Sequence, residues 1–101
     1  MKIVAVTACP TGIAHTYMAA DALTKMAAKR NVSIKVETQG AMGVEHQLTA
    51  VDIAHADKVL IVSDIEIEQP HRFDPSKTVY IAMEEVLLNV EKVFIQHCRD
   101  V

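Results

Sequence analysis

Two stretches of this chain are apolar at nearly every position: "KIVAVTA" at 2–8 and "KVLIVS" at 58–63. A strand with one wet face alternates polar and apolar residues, so unbroken runs predict strands buried on both faces. That is the condition of a parallel sheet with helices on each side. Parallel strands need long crossovers, and the intervening residues supply them. From Ile13 to Arg30 the period is helical, with Ala19, Leu23, Met26 and Ala27 on one face and Asp21, Thr24, Lys25 and Ala28 opposite. Asp21 and Lys25 add an acid-before-base pair at i,i+4.

The remaining segments extend the alternation. "SIKVET" (33–38) places Ile34 and Val36 on one side, which predicts a strand with one more exposed face, and a loop carrying Gly40 and Gly43 follows. Thr49 with Asp52 three residues on has the form of a capping box and opens a short helix, "AVDIAHA". "DIEIEQPHRFDPS" (64–76) carries two prolines and reads as a loop, and "TVYIA" (78–82) as the fourth strand. A last helix is predicted from about Glu84 to Cys98, with Val86, Leu87, Val90, Val93, Phe94 and His97 on one face. The expectation is one α/β domain over residues 1–101. It is a three-layer α/β/α arrangement with a four-stranded parallel sheet, and right-handed crossovers order it 2-1-3-4.

Composition narrows the function. There are 10 Lys and Arg against 13 Asp and Glu, for a net charge of −3, and the basic residues form no stripe, so nucleic acid is not an expected partner. No apolar run approaches the roughly 18 residues that span a bilayer. The opening "MKIVAVTA" is too short for a signal peptide and leads into a turn and a patterned helix, so the chain reads as cytoplasmic. Cys9 and Cys98 are too few for a disulfide framework. His46, His55, His71 and His97 have no pairing at metal-ligand spacing, so a zinc site is not expected; no cofactor is expected either.

Chemistry concentrates in "ACPTGIAHT", residues 8–16. With strand order 2-1-3-4 the winding reverses beside strand one, and ligands bind at the carboxyl ends of the strands there. Cys9 occupies that end of strand one. After it, the backbone N–H groups of Thr11, Gly12, Ile13, Ala14, His15 and Thr16 precede or open a helix, and Gly12 can take dihedrals that turn several of them inward. The first helical turn adds unpaired donors and the positive end of the helix dipole, a setting suited to a tetrahedral dianion. The hydroxyls of Thr11 and Thr16 could add donors. The same field favours a thiolate, which is both nucleophile and leaving group, as a residue that accepts and passes on a phosphoryl group requires. The alternative is a plain strand–helix turn that buries a small residue.

"TACPTGIAHTYMAA" resembles the active-site segment of the fructose-type enzyme IIB components of the bacterial sugar phosphotransferase system. The resemblance continues through "IKVETQGAMG" and the "RF" of residues 72–73. It implies a Rossmann-like four-stranded parallel sheet and a phosphotransferase role. Cys9 would accept phosphate from a phosphohistidine on the partner IIA component and give it to a sugar held by the membrane permease IIC. Fructose is the leading sugar, with mannose or a related hexose derivative as alternatives. The phosphate cradle would run from Thr11 to Thr16, and the domain would meet the inner face of the membrane through the permease. The region "HRFDPSKTVYIAMEEV" fits the family pattern only loosely.

A rival comes from the low-molecular-weight tyrosine phosphatases, which also place a cysteine after the first strand of a similar sheet. Their loop runs cysteine, five residues, arginine, then Ser or Thr. Here the corresponding residues are Cys9, His15 and Thr16, and the arginine is missing. An imidazole cannot match a bidentate, permanently charged guanidinium at a phosphoryl transition state. Thiol redox chemistry lacks a neighbouring resolving cysteine. As a helix N-terminal histidine His15 could merely hydrogen-bond, but its place in the loop favours a phosphate contact. Glu37, Thr38, Gln39 and Gly40 end strand two beside the same crevice, and Glu37 and Gln39 are candidates for an accessory role, although an ordinary strand end explains them equally well. Asp64, Glu66 and Glu68 read as a solvated loop face that could repel phosphate or steer a partner.

Overall fold

The chain is described by a computed structural model that covers residues 1–9, 13–40 and 43–97. Its elements are β1 (Lys2–Ala8), α1 (Ile13–Lys29), β2 (Ser33–Gly40), β3 (Gly43–Glu45), α2 (Ala50–His55), β4 (Lys58–Ser63), β5 (Thr78–Ile81) and α3 (Met83–His97), with a single 3-10 turn at Pro70–Arg72 between β4 and β5. The sheet order is β3-β2-β1-β4-β5. The four long strands pair in parallel, in the order expected.

Among the described residues the sheet has five strands, not four. Gly43–Glu45, expected within a loop, pairs antiparallel with β2 through Thr38↔Glu45, Gln39↔Val44 and Gly40↔Gly43. Three residues carry too little pattern to announce a strand; the unpaired edge of β2 recruits them. Gly43 sits at φ 88°, a left-handed value that glycine adopts without strain.

Alternation along β1 and β4 sends side chains to two cores. Ile3, Ala5, Leu60 and Val62 join Ile81 and pack with Ala19, Leu23 and Ala27 of α1 and Met83, Val86, Val93 and Phe94 of α3. On the opposite face, Val4, Val6, Ala8, Val59 and Ile61 meet Leu48, Ala56, Ile67 and Phe73. The segment 64–76 therefore does more than connect: its Ile67 and Phe73 close the second core, the side with the short helix.

α2 opens as the capping box requires. The Asp52 amide donates to the Thr49 hydroxyl at 3.1 Å and the Thr49 amide donates to the Asp52 carboxylate at 3.0 Å. A hydrogen bond from Lys35, with those from Thr49, lowers the Asp52 carboxyl to about 2. α3 departs from the uninterrupted helix expected. Asn89 leaves helical geometry (φ −155°, ψ 73°), and its side-chain carbonyl accepts from the Lys92 amide at 3.1 Å. Asparagine here caps the second half of the helix from inside, a competition that short polar side chains offer the backbone.

β2 also departs from expectation. Ile34 and Val36 are half-buried, but Glu37, Thr38 and Gln39 are all buried, so the strand becomes more enclosed towards its carboxyl end. β3 and the 64–73 segment cover that end.

Candidate functional site at the carboxyl end of the sheet

Cys9 follows β1 directly and is half-buried, packed at the margin of the core that α1 and α3 share. It lines a crevice with Ala8, Gln39, Gly40, Gly43, Ile65, Glu66 and Glu68. The ends of β1 and β2, the start of β3 and the loop after β4 all contribute. This is the place where the winding of the sheet reverses.

α1 begins at Ile13 and carries no acidic residue in its first turn, so no carboxylate there offsets the positive end of its dipole. The buried Thr7 hydroxyl donates to the Thr16 carbonyl at 3.1 Å, tying the end of β1 to the first turn of α1. The Tyr17 hydroxyl donates to the Glu45 carboxylate, which links α1 to β3. His15 is exposed and Thr16 is buried. Of the expected cradle, Thr11 and Gly12 lie outside the described residues, as does Cys98; Ile13 and Ala14 open α1.

Glu37 and Gln39 part ways with each other. Glu37 has no exposure, and its carboxylate meets the Arg72 guanidinium in a fork: Nη1 to Oε1 and Nη2 to Oε2, each 2.9 Å. The Leu48 amide donates to Oε1 at 2.9 Å and the Gln39 amide nitrogen to Oε2 at 2.7 Å. Burial pushes the Glu37 carboxyl up. The hydrogen bonds from Arg72, Gln39 and Leu48, with the guanidinium charge, outweigh it and hold the group below the usual carboxylate range. Glu37 is thus an internal tether. Gln39, in contrast, reaches the crevice wall itself.

Arg72 is the residue that sequence reasoning left without a structural role. Its Nε donates to the Gln69 carbonyl at 2.9 Å, and its guanidinium lies 4.8 Å from the centre of the Phe73 ring. The "RF" pair was visible in the sequence, but its partner lies 35 positions away and no local pattern connects them. The guanidinium is committed to Glu37. Asp64, Glu66 and Glu68 are exposed, as a solvated loop face should be.

A family model described as "PTS system, Lactose/Cellobiose specific IIB subunit" matches residues 4–96. The "PTS system fructose-like EIIB component 2" of Escherichia coli (strain K12) is 45% identical over 92 residues, covering 91% of this chain and 87% of that protein. In Bacillus subtilis (strain 168), the "PTS system fructose-specific EIIABC component" is 49% identical over 80 residues. Those residues are 79% of this chain and 12% of that much longer one. Among solved structures, "Predicted Fructose Specific IIB from Escherichia Coli" superposes with a TM-score of 0.90 at 38% identity, over 96% of this chain and 86% of the other. A domain of the fructose-specific IIABC component from Borrelia burgdorferi gives 0.88 at 40% identity, over 95% and 91%. Among the described residues, no helix is long and apolar enough to cross a membrane.

Proposed function

Because this chain belongs to the IIB family of the sugar phosphotransferase system, in its fructose type, we propose that it is a phosphoryl carrier with Cys9 as the acceptor. The Cys9 sulfur attacks the phosphorus of a phosphohistidine on the IIA component. An S–P bond forms, the N–P bond breaks, and the imidazole leaves. At the permease IIC a sugar hydroxyl then attacks the phosphorus, and the thiolate departs. The amides from Thr11 to Thr16 cradle the phosphoryl group at the start of α1, and the exposed His15 contacts it. Fructose is the sugar that the names of the relatives favour.

The observation that carries this reading is the position of Cys9. It is a half-buried thiol at the carboxyl end of the central strand, ahead of a helix with no carboxylate in its first turn, on the wall of a crevice open to a partner. The test is intact mass after incubation with the general phosphotransferase proteins, a cognate IIA component and phosphoenolpyruvate, followed by peptide mapping. One phosphate on the peptide containing Cys9 supports the carrier. Phosphate on a histidine of this chain, or none with a IIA component known to be phosphorylated, would sink it.

A further inference from the structure

Between the end of β2 and the 64–73 segment, a series of polar contacts converges on one stretch of backbone. The Glu68 amide donates to the Gln39 side-chain oxygen at 2.7 Å, and the Gln39 side-chain nitrogen donates to the Glu68 carbonyl at 3.2 Å. A side-chain amide thus offers Glu68 the pair of bonds that a neighbouring strand residue would offer. The same nitrogen donates to Glu37. Because that carboxylate can only accept, it dictates which way the Gln39 amide faces. Glu37 is fixed in turn by Arg72, whose Nη2 returns to the Glu68 carbonyl at 3.3 Å. The next residue, Gln69, sits at φ 54° and ψ 50° ahead of Pro70. A residue with a side chain holds that left-handed conformation only where its surroundings enforce it.

Gln39 is only 7% exposed, yet it lines the Cys9 crevice together with Ile65, Glu66 and Glu68. We propose that Gln39 is a positioning residue for that crevice: its carboxamide, oriented by Glu37, clasps the backbone of Glu68 and holds the Ile65–Glu68 segment as the wall facing Cys9. This deepens the carrier reading, on which its meaning for phosphoryl transfer rests. The held wall carries two carboxylates, on Glu66 and Glu68. It disfavours small phosphate anions at the thiol, while a phosphoryl group delivered on a protein arrives with its own docking surface.

The test compares alkylation of Cys9 by anionic iodoacetate and neutral iodoacetamide, read on the Cys9 peptide by mass spectrometry. The ratio of the two rates reports charge at the crevice and cancels general changes in thiol reactivity. It reports the wall whether or not Cys9 ever carries phosphate. Glu66→Gln with Glu68→Gln removes the charges without touching the clasp, which uses the Glu68 backbone. The ratio should rise about threefold, the scale of two carboxylates acting across a solvated crevice. Gln39→Met keeps the length and removes both bonds to Glu68 along with the one to Glu37, and should produce a similar rise. Adding Gln39→Met to the double variant should change the ratio no further. Gln39→Asn, whose amide cannot reach Glu68, serves if the methionine variant does not fold. An unchanged ratio in a folded Gln39 variant overturns the proposal. So does an equal rise in the charge-free background, no response to the double variant, or failure of both Gln39 variants to fold.

Discussion

Replacing Arg72 with methionine keeps most of the aliphatic stem while deleting the guanidinium, and with it the stacking on Phe73. The Glu37 side chain is fully buried and that of Arg72 is 14% exposed, so the stranded carboxylate would have little solvent to turn to. Removing one partner of a buried pair costs about 3–5 kcal/mol. Here the Leu48 amide and the Gln39 carboxamide remain as donors, which places the loss near the lower end, about 3 kcal/mol. For a domain of this size each kcal/mol moves Tm by about 4–8 °C, so Tm should fall by about 12–24 °C.

The pH dependence carries a sign that a generic packing defect would not. In the native protein the Glu37 carboxyl lies below its ordinary 4.5, so the stability it contributes is present above that value and lost as the pH falls through the lower, native one. In Arg72→Met the main opposing influence is gone and burial raises the carboxyl above its unfolded value. The variant should then become more stable on acidification from near pH 7 towards pH 5, where the native pair is insensitive. Urea unfolding followed by circular dichroism at the two pH values measures both effects. Glu37→Gln combined with Arg72→Met should recover most of the loss, since no charge is stranded. A loss below about 1 kcal/mol, or a pH response identical to the native protein's, would refute the view of this pair as a buried tether.

Three further outcomes are expected. Cys9→Ser should stay folded and dock its IIA partner, yet an alkoxide is a far poorer leaving group than a thiolate; even 4 kcal/mol of added barrier would slow sugar phosphorylation about a thousandfold, and near-normal rates would exclude Cys9 as carrier. Aryl phosphates should be hydrolysed negligibly, because His15 and not an arginine follows the five residues after Cys9, and Arg72 is bound to Glu37; Cys9-dependent steady-state turnover would favour the phosphatase rival. Thr49→Ala should cost about 1 kcal/mol by breaking the capping box of α2, seen as a Tm lowered by about 4–8 °C, and an unchanged Tm would mean that the cap contributes nothing.

Local pattern was enough wherever the physics is local. The apolar continuity of 2–8 and 58–63 reports burial on both faces, and these strands appear as Lys2–Ala8 and Lys58–Ser63. The helical period after Ile13 depends on neighbours three and four residues apart, and so does the Thr49–Asp52 box. Placing Cys9 at the carboxyl end of the central strand needed only strand order, which handedness restricts. Tertiary structure decided the rest. β3 exists because the edge of β2 is there to pair with, and nothing in "GVE" itself demands a strand. The burial of Glu37, Thr38 and Gln39 contradicts their polarity. It is tolerated for Glu37 because Arg72, from a loop 35 residues away, returns to neutralise it, and a charge can be buried only when such a partner is found. The residues that build the crevice wall are therefore set by long-range pairing. A sequence displays which residues can pair but not which of them the folded chain brings together.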